Sequence, residues 1–305
     1  MSKPSRFHRR IDGILLLDKP VGLSSNAALQ RARALFAATK AGHAGSLDPL
    51  ASGLLPVCFG HATKVCGRLL SSDKTYRVLV QLGGRTESGD SETEVVERAP
   101  VPSLTPEAVD AVLATFIGAQ QQIPPMHSAL KFEGKRLYEL ARRGESVDRA
   151  PRDIVIHDIQ RVSVGEESLE FDVHCSKGTY IRTLAADVAA RLGTLGYVRA
   201  LRRLSIDPFA GLPMYTLEEL AETPPEARDA KLLPPDRVFA DLPAVELDAA
   251  AVEGLLQGRV VAAQAARLGT LRAYDGAGRF LGLAEGLPDR RIKPVRLFVD
   301  PPGSA

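Results

Sequence analysis

Residues 42–57 read GHAGSLDPLASGLLPV and place a single carboxylate, that of Asp48, between a glycine-containing segment and an apolar run. Pro49 pushes the residue before it away from helical geometry, so we predict that Asp48 lies in a turn or in extended chain. Three glycines in the same stretch suit a backbone that bends to present one side chain. A surface Asp-Pro turn without a chemical role has the same pattern. The spacing alone leaves both interpretations open.

The apolar pattern around this stretch predicts a mixture of strands and helices. Residues 75–82 alternate apolar and polar side chains, which is typical of a strand with one buried face. Three strands and three helices are predicted: strands at 14–17, 75–82 and 169–176, and helices that begin at Ser24 or Ser25, run from Thr105 to Gly118, and end at Gly193. The elements follow no strict strand–helix–strand order. This favours an α+β fold with a mixed, mainly antiparallel sheet flanked by helices.

Prolines divide the chain near its C-terminal end. Five of them lie between about residues 222 and 245 and interrupt any long periodic element, so a domain connection is expected there. Short strand-like segments and an Asp-Gly turn follow, which indicates a small β-rich module. We therefore predict a first domain at 1–240 and a second at 245–300.

The composition is that of a globular chain with basic patches. Its 305 residues have a net charge of +2, and basic side chains gather near the N-terminus, at 131–152 and at 199–203. Such patches suit nucleic acid, although a solvated surface is the simpler interpretation of any one of them. No apolar run approaches the ~20 residues of a membrane span, and no signal-peptide pattern is present. A cytoplasmic location without membrane contact is expected.

The cysteines indicate neither a disulfide scaffold nor a metal site. There are three, Cys58, Cys66 and Cys175, and no two have the Cys-x-x-Cys spacing of a zinc ligand pair. Reduced structural thiols are the simplest interpretation, in agreement with a cytoplasmic protein.

Five segments together resemble the TruB family of tRNA pseudouridine synthases, in the order that the family has and across nearly all of residues 13–204. They are GILLLDKP at 13–20 with GLSS at 22–25, GHAGSLDPLASGLLPV at 42–57, DKTYRV at 73–78, GTYIRTL at 178–184 and LRRL at 201–204. The resemblance implies the pseudouridine synthase fold. The implied reaction breaks the N-glycosidic bond of a uridine, turns the base and rejoins it through C5. Asp48 matches the family's nucleophile, a role that suits a carboxylate able to form and release a covalent adduct.

The resemblance also implies catalytic roles for Arg182 and Tyr76. Arg182 would pair with Asp48, maintain its charge and orient it. Tyr76 would stack on the target base, an interaction worth about 1–3 kcal/mol, and its hydroxyl is a hypothesis for proton removal from C5. Without the resemblance, Tyr76 would be interpreted as a core tyrosine and Arg182 as an ordinary helix residue.

By the same resemblance, five further residues are predicted to bind the substrate: His43, Tyr180, Leu201, Lys19 and Lys131. His43 would help to hold the nucleotide once it has left the base stack, and would not act as an acid or base. Tyr180 and Leu201 would line the pocket. Lys19 belongs to the first motif, whose role is mainly to support the loop that carries the nucleophile.

Two longer segments resemble RNA-contacting parts of the family. Residues 124–152 are basic, include Lys131 and resemble the insertion that closes over the tRNA arm in bacterial members. Residues 245–300 resemble the PUA-type RNA-binding domain that many bacterial members carry at the C-terminus.

Together these resemblances imply a tRNA pseudouridine synthase that acts on uridine 55 in the T-arm loop, by a reaction that requires no metal or cofactor. A monomer is expected because the sequence has no heptad pattern and no extra apolar face. Attack on C6 of the base and attack on C1′ of the ribose both stay open. Two other classes are kept as alternatives. One is a non-catalytic RNA-binding or RNA-folding protein, and the other is an N-glycosidase, which would release free uracil.

Overall fold

A sheet of eight strands forms the framework of the first two thirds of the chain in the computed structural model, which describes residues 9–128, 130–132, 134–141, 143–263 and 267–300. Within these residues the strands are β1 Gly13–Lys19, β2 Ala41–His43, β3 Ala51–Phe59, β4 Lys74–Leu82, β5 Gly84–Thr86, β6 Val95–Arg98, β7 Gly118–Gln122, β8 Lys131–Phe132, β9 Lys135–Arg136, β10 Arg152–Val164, β11 Ser168–Cys175, β12 Gly196–Ile206, β13 Ala244–Leu247, β14 Val261–Ala262, β15 Gly269–Asp275, β16 Phe280–Leu287 and β17 Arg291–Leu297. The α-helices are α1 Ser25–Leu35, α2 Cys66–Leu70, α3 Pro106–Ala114, α4 Leu137–Ala141, α5 Ile181–Arg191, α6 Leu217–Glu222, α7 Pro225–Arg228 and α8 Ala249–Leu256. Short 3-10 segments lie at Gly60–Val65, Asp229–Lys231, Pro235–Phe239 and Pro288–Arg290.

The eight-stranded sheet has the order β1–β3–β12–β4–β11–β10–β7, and β2 also pairs with β3. Strands β3 and β12 run parallel, whereas the other pairs of this sheet are antiparallel. The predicted α+β class with a mixed, mainly antiparallel sheet flanked by helices is therefore confirmed.

Local sequence explains where the helices begin. The Oγ of Ser24 accepts a hydrogen bond from the Ala27 amide at 3.2 Å and so caps α1. Thr105 caps α3 in the same way, through the amide of Ala108 at 3.2 Å. Helix α5 ends just before Gly193, whose positive φ of 84° suits a residue without a Cβ.

The predicted end of α3 at Gly118 is wrong. The amides of residues 115–117 bond to carbonyls three residues back, which tightens the last turn and ends α3 at Ala114. Gly118 instead begins β7, which pairs with β10. The apolar pattern of a helix continues past Ala114 in the sequence, but the pairing with β10 takes over the backbone.

Three apolar clusters cover the sheet. Strands β4, β11 and β12 carry one apolar face, which packs against α3 and α5. Strands β1 and β3 are buried on both faces, against α1 on one side and against the 3-10 segments and α2 on the other. Burial on both faces explains why residues 14–17 are apolar without alternation.

A second sheet, of five strands in the order β13–β15–β16–β17–β14, forms the C-terminal part of the chain. This sheet confirms the predicted β-rich module. The same part of the chain also contains the helix α8, which was not predicted. Three aromatic rings join it to the first part, with centroids 6.5, 6.0 and 5.2 Å apart: Phe239, Phe280 and Phe298. In the described residues, no helix is both long and apolar enough to cross a membrane.

Gly53 is a sensitive position in this fold. Its φ is +97°, and a Cβ there would lie 2.2 Å from the carbonyl oxygen of Arg203, so Gly53→Ala would separate β3 from β12. We expect a loss of at least about 3 kcal/mol in the free energy of unfolding. Gly193 has a φ of +84° with no atom within 4 Å of a Cβ, and Gly193→Ala should cost only about 1–2 kcal/mol. Urea unfolding of the two variants measures the difference, and equal losses would contradict the clash.

Candidate active site

A cleft of about 760 Å³ lies between the start of α1, the loop at residues 43–50 and the start of α5. It brings together six of the eight predicted site residues, from four separate sequence segments: His43, Asp48, Tyr76, Tyr180, Arg182 and Leu201. Its volume is in the range of small-molecule and nucleotide sites. These six residues therefore line one cavity, although they are far apart in the sequence.

The loop that carries Asp48 is held by bonds from its neighbours. Buried Ser25, the first residue of α1, donates from its Oγ to the Leu47 carbonyl (3.0 Å) and accepts from the Leu47 amide (2.7 Å). The Pro49 carbonyl accepts from the amide of Gly22 at 2.8 Å. With the residues on either side fixed, Asp48 presents a side chain that is 50% exposed to the cleft.

Arg182 lies between two carboxylates. Its Nη2 is 3.2 Å from Oδ2 of Asp48, and its Nη1 is 3.3 Å from Oδ2 of Asp90. The same guanidinium donates to the carbonyls of Ser88 (3.0 Å) and His127 (2.7 Å). Only 13% of the Arg182 side chain is exposed, so these four partners define the position of its charge beside Asp48.

Asp90 was not found by the sequence reasoning, although it is the deepest acid of the site. Its side chain is 1% exposed, and its Oδ1 accepts from the Ser88 hydroxyl and from the Glu92 amide. The segment around it, TESGDSET at 86–93, is indistinguishable in sequence from a polar surface turn. Its role becomes visible only in the structure, where Arg182 of α5 places its Nη1 beside the Asp90 carboxylate.

Two buried cations lie beneath the cleft. Arg203 is 1% exposed and donates to the carbonyls of Leu54 (2.7 Å) and Gly45 (2.8 Å). Lys19 is fully buried, and its Nζ donates to the carbonyls of Pro20 (2.8 Å) and Leu23 (2.7 Å). Burial lowers the pKa of Lys19, while the charge of Asp48 acts in the opposite direction.

The position of Lys19 does not fit the predicted contact with substrate. Its side chain lies below the loop and does not line the cleft. Its two bonds to carbonyls support the chain just before α1, in agreement with the other role expected for the first motif. The side chain of Lys131, the remaining predicted residue, lies outside the described part of the structure.

Tyr76 and His43 present uncharged rings to the cleft at neutral pH. Burial raises the pKa of the Tyr76 phenol, and the charge of the nearby Arg203 guanidinium acts in the opposite direction. Burial lowers the pKa of His43, and the charge of Arg203 lowers it further. The Nδ1 of His43 is buried without a hydrogen-bond partner in the described residues. A polar group of a bound ligand could satisfy it.

Gln122, which the sequence reasoning also missed, positions the start of α5. Its amide oxygen accepts from the Tyr180 amide at 2.7 Å, and its Nε2 donates to the Tyr180 carbonyl at 3.1 Å. Tyr180 is the N-cap of α5 and has no side-chain cap. The buried amide of Gln122 therefore fixes the chain two residues before Arg182.

The cleft has the composition of a site for carboxylate chemistry on a flat, polar ligand. One exposed carboxylate is paired with a fixed guanidinium, and neutral aromatic rings lie beside it. In the part of the chain that the structure describes, the one group of side chains with metal-ligand spacing, Asp73, His174 and Asp207, lies outside this cleft.

Comparison with known proteins finds relatives over nearly the whole chain. Residues 33–181 match the model of the TruB family pseudouridylate synthase N-terminal domain, and residues 243–298 match that of the pseudouridine synthase II TruB C-terminal domain. A tRNA pseudouridine synthase B of Nitrosococcus oceani is 47% identical over 308 residues, which cover 99% of this chain and 100% of the relative. One of Aromatoleum aromaticum is 48% identical over 97% of this chain and 96% of its own length.

A solved structure supports the fold at a greater distance. The crystal structure of a Cbf5-Nop10-Gar1 complex contains a chain that is 22% identical, with a TM-score of 0.72 over 98% of this chain and 88% of the other. At that identity the likeness concerns the fold. Because the curated relatives are nearly half identical over almost the whole length, the chain belongs to the TruB family of pseudouridylate synthases.

Proposed function

We propose that the protein isomerises uridine to pseudouridine in tRNA, at uridine 55 of the T-arm loop, with Asp48 as the nucleophile. The observation that supports this most is the Asp48–Arg182–Asp90 arrangement at the wall of the cleft. Family membership makes the protein a pseudouridine synthase, an isomerase, and the tRNA substrate agrees with the names of its relatives. The position in tRNA and the role of Asp48 are the parts that need experiment.

The geometry suits Asp48 as a nucleophile. The carboxylate needs one oxygen free to attack while its charge stays compensated, and Arg182 approaches its Oδ2 at 3.2 Å. Because Arg182 is itself held by Asp90 and two carbonyls, Asp48 is oriented without being enclosed. The covalent adduct can form on either C6 of the base or C1′ of the ribose in this arrangement.

The neutral rings suit the extruded base. A uridine that leaves the base stack loses a few kcal/mol of stacking free energy, and stacking on an aromatic side chain compensates part of that loss. Tyr76 supplies a flat ring beside Asp48, and His43 can pair its free Nδ1 with the nucleotide. Tyr180 and Leu201 complete the cleft around the base.

The rest of the chain suits a role in tRNA binding. We propose a catalytic domain at 1–240, with an RNA-clasping insertion at 124–152, and an RNA-binding domain of PUA type at 245–300. The C-terminal part exposes seven basic side chains that can contact phosphates: Arg259, Arg267, Arg279, Arg290, Arg291, Lys293 and Arg296. A monomeric state, a cytoplasmic location and a reaction without metal or cofactor stay predictions.

Removal of the Asp48 carboxylate tests the central claim. With T-arm RNA labelled with tritium at C5 of uridine, the wild type should release tritium, and Asp48→Asn should release it at least about 10³-fold more slowly. Asp110 is a matched control, because it pairs with Arg161 on the surface at 2.9 Å, and Asp110→Asn should keep full activity.

Three outcomes would contradict the proposal in different ways. Bound RNA without tritium release from the wild type would favour the RNA-binding alternative. Free uracil would favour the N-glycosidase. Full activity of Asp48→Asn would remove the nucleophile from this position.

Replacement of Tyr76 by Phe separates its ring from its hydroxyl. Because the raised pKa keeps the phenol protonated, a role in proton removal from C5 requires Arg203 to stabilise the phenolate. If the hydroxyl takes that role, turnover by Tyr76→Phe should fall about 10²-fold while RNA affinity is retained through the ring. Tyr197→Phe, on β12 away from the cleft, is the control. Unchanged turnover by Tyr76→Phe would exclude the hydroxyl.

The lowered pKa of His43 predicts a pH dependence of stability. As pH falls below about 6.5, the unfolded chain binds a proton at His43 that the folded protein still rejects, so folding stability decreases. The variant His43→Gln lacks this titration. From about pH 7.5 to about pH 5, the wild type should lose more free energy of unfolding than the variant. Urea unfolding at both pH values measures the loss, and identical losses would show that His43 is not desolvated in the fold.

A further inference from the structure

A cluster of two histidines and two aspartates lies on the face of the central sheet opposite the cleft. Its members come from four adjacent strands: Asp207 follows β12, Asp73 precedes β4, His174 lies in β11 and His157 lies in β10. His174 pairs with Thr75, whereas Tyr76, one residue further along β4, points to the cleft. Since successive side chains of a strand alternate between faces, the cluster and the cleft are separated by the sheet.

The side chains of this cluster converge. The Nε2 of His157 is 2.9 Å from Oδ2 of Asp73, and the Nε2 of His174 is 3.7 Å from Oδ2 of Asp207. The two imidazole rings lie 4.8 Å apart between centroids. One ligand atom each from Asp73, His174 and Asp207 lies within 4.8 Å of the other two.

The backbone of the paired strands positions this cluster. A register shift between Ile156 and Asp158 brings His157 to the exposed side of β10, beside His174. The Asp207 amide donates to the Asp73 carbonyl at 3.1 Å, which joins the two ends that carry the carboxylates. The cluster is therefore built on paired strands and not on a loose loop.

We propose that Asp73, His157, His174 and Asp207 form a binding site for a divalent transition-metal ion, with Zn²⁺ as its best fit. Imidazole nitrogens and carboxylate oxygens are its ligands in proteins, at about 2.0–2.2 Å in tetrahedral geometry. Ligand atoms are then about 3.3–3.6 Å from one another. The observed pairs at 2.9 and 3.7 Å lie on either side of this range. The ring of His157 does not belong to the group of three within 4.8 Å of one another, so it would have to rotate toward them, and all four side chains are partly exposed.

Charge and surroundings agree with a divalent cation. Two carboxylates would balance its charge. The nearest lysine in sequence, Lys74, points to the other face, where its Nζ donates to backbone carbonyls that include that of Leu70 at 3.0 Å. Its charge still interacts with Asp73 and Asp207, but these backbone bonds hold the ammonium away from the proposed site. This proposal revises the expectation, drawn from local spacing, that the protein holds no metal. The four ligands lie at 73, 157, 174 and 207, so no local motif could show them.

The bound ion would hold together the ends of four strands, of which β4 and β12 contribute Tyr76 and Leu201 to the cleft. It would take no part in the isomerisation, because the sheet lies between it and Asp48. Its effect should therefore be on stability. The inference does not depend on the function proposed above.

Zinc titration of the full-length protein without a polyhistidine tag tests the site. After removal of metal with a chelator and dialysis, calorimetric titration with Zn²⁺ should give about one ion per chain with a micromolar or tighter Kd. Zn²⁺ should also raise the thermal midpoint of unfolding, and excess chelator should reverse the rise. His174→Gln and Asp207→Asn should each weaken binding at least about tenfold.

A matched control is the pair His61 and Asp300, which has a similar His–Asp distance of 3.0 Å but belongs to no cluster of three ligands in the described residues. His61→Gln should bind Zn²⁺ as the wild type does. Circular dichroism of the metal-free proteins checks that each variant is folded. If His174→Gln or Asp207→Asn is not folded, the variant His157→Gln is tested in its place. Equal Zn²⁺ affinity in wild type and His174→Gln, or no shift of the thermal midpoint, would overturn the proposal. The four residues would then form only hydrogen-bonded His–Asp pairs.

Discussion

The buried guanidinium of Arg203 is the constraint on which the arrangement of the cleft depends. A charge that is 1% exposed must be hydrogen-bonded, and the carbonyls of Gly45 and Leu54 supply two of those bonds. Gly45 precedes Asp48 by three residues, and Leu54 lies in the buried strand β3 that follows. To satisfy Arg203, the loop must therefore pass close above β12 and bend back into β3. The same closeness requires glycine at position 53, where the Arg203 backbone leaves no room for a Cβ.

This charge also influences the acid–base behaviour of the groups around it. Burial is the main cause of the pKa shifts at Lys19, His43, Lys74 and Tyr76, and Arg203 contributes to each of them. It adds to the lowering at the two lysines, of which Lys74 reaches a pKa of about 8, and at the histidine. It opposes the rise at the tyrosine. The cleft thus has two buried cations below it, neutral rings at its side and the exposed carboxylates of Asp48 and Glu92 at its wall.

The central sheet separates two kinds of chemistry. One face carries the cleft, in which Arg182 connects the exposed Asp48 to the buried Asp90. The other carries the four residues that we propose as a metal site, at the ends of strands that also support Tyr76 and Arg203. An ion on the second face would stabilise the strands of the first without entering the reaction.

The sequence by itself determined the features that depend on neighbouring residues. The cap at Ser24, the alternation along β4, the double burial of β1 and the turn around Asp48 all follow from short-range patterns, as does the α+β class. Resemblance to the family added Arg182, Tyr76, His43, Tyr180 and Leu201, and these line the same cleft as Asp48. Lys19 matched the same motifs, yet it lies beneath the loop because its ammonium is needed by backbone carbonyls.

Only the tertiary structure decided which distant polar groups meet. Asp90 and Gln122 look like residues of an ordinary turn and an exposed strand until α5 brings Arg182 and Tyr180 against them. The early end of α3 depends on pairing between β7 and β10. The histidine–aspartate cluster requires four strands to be aligned side by side. The periodicity of apolar residues shows which face of an element is buried. The partner of a buried charge depends instead on packing between residues far apart in the chain, and no local sequence pattern indicates that packing.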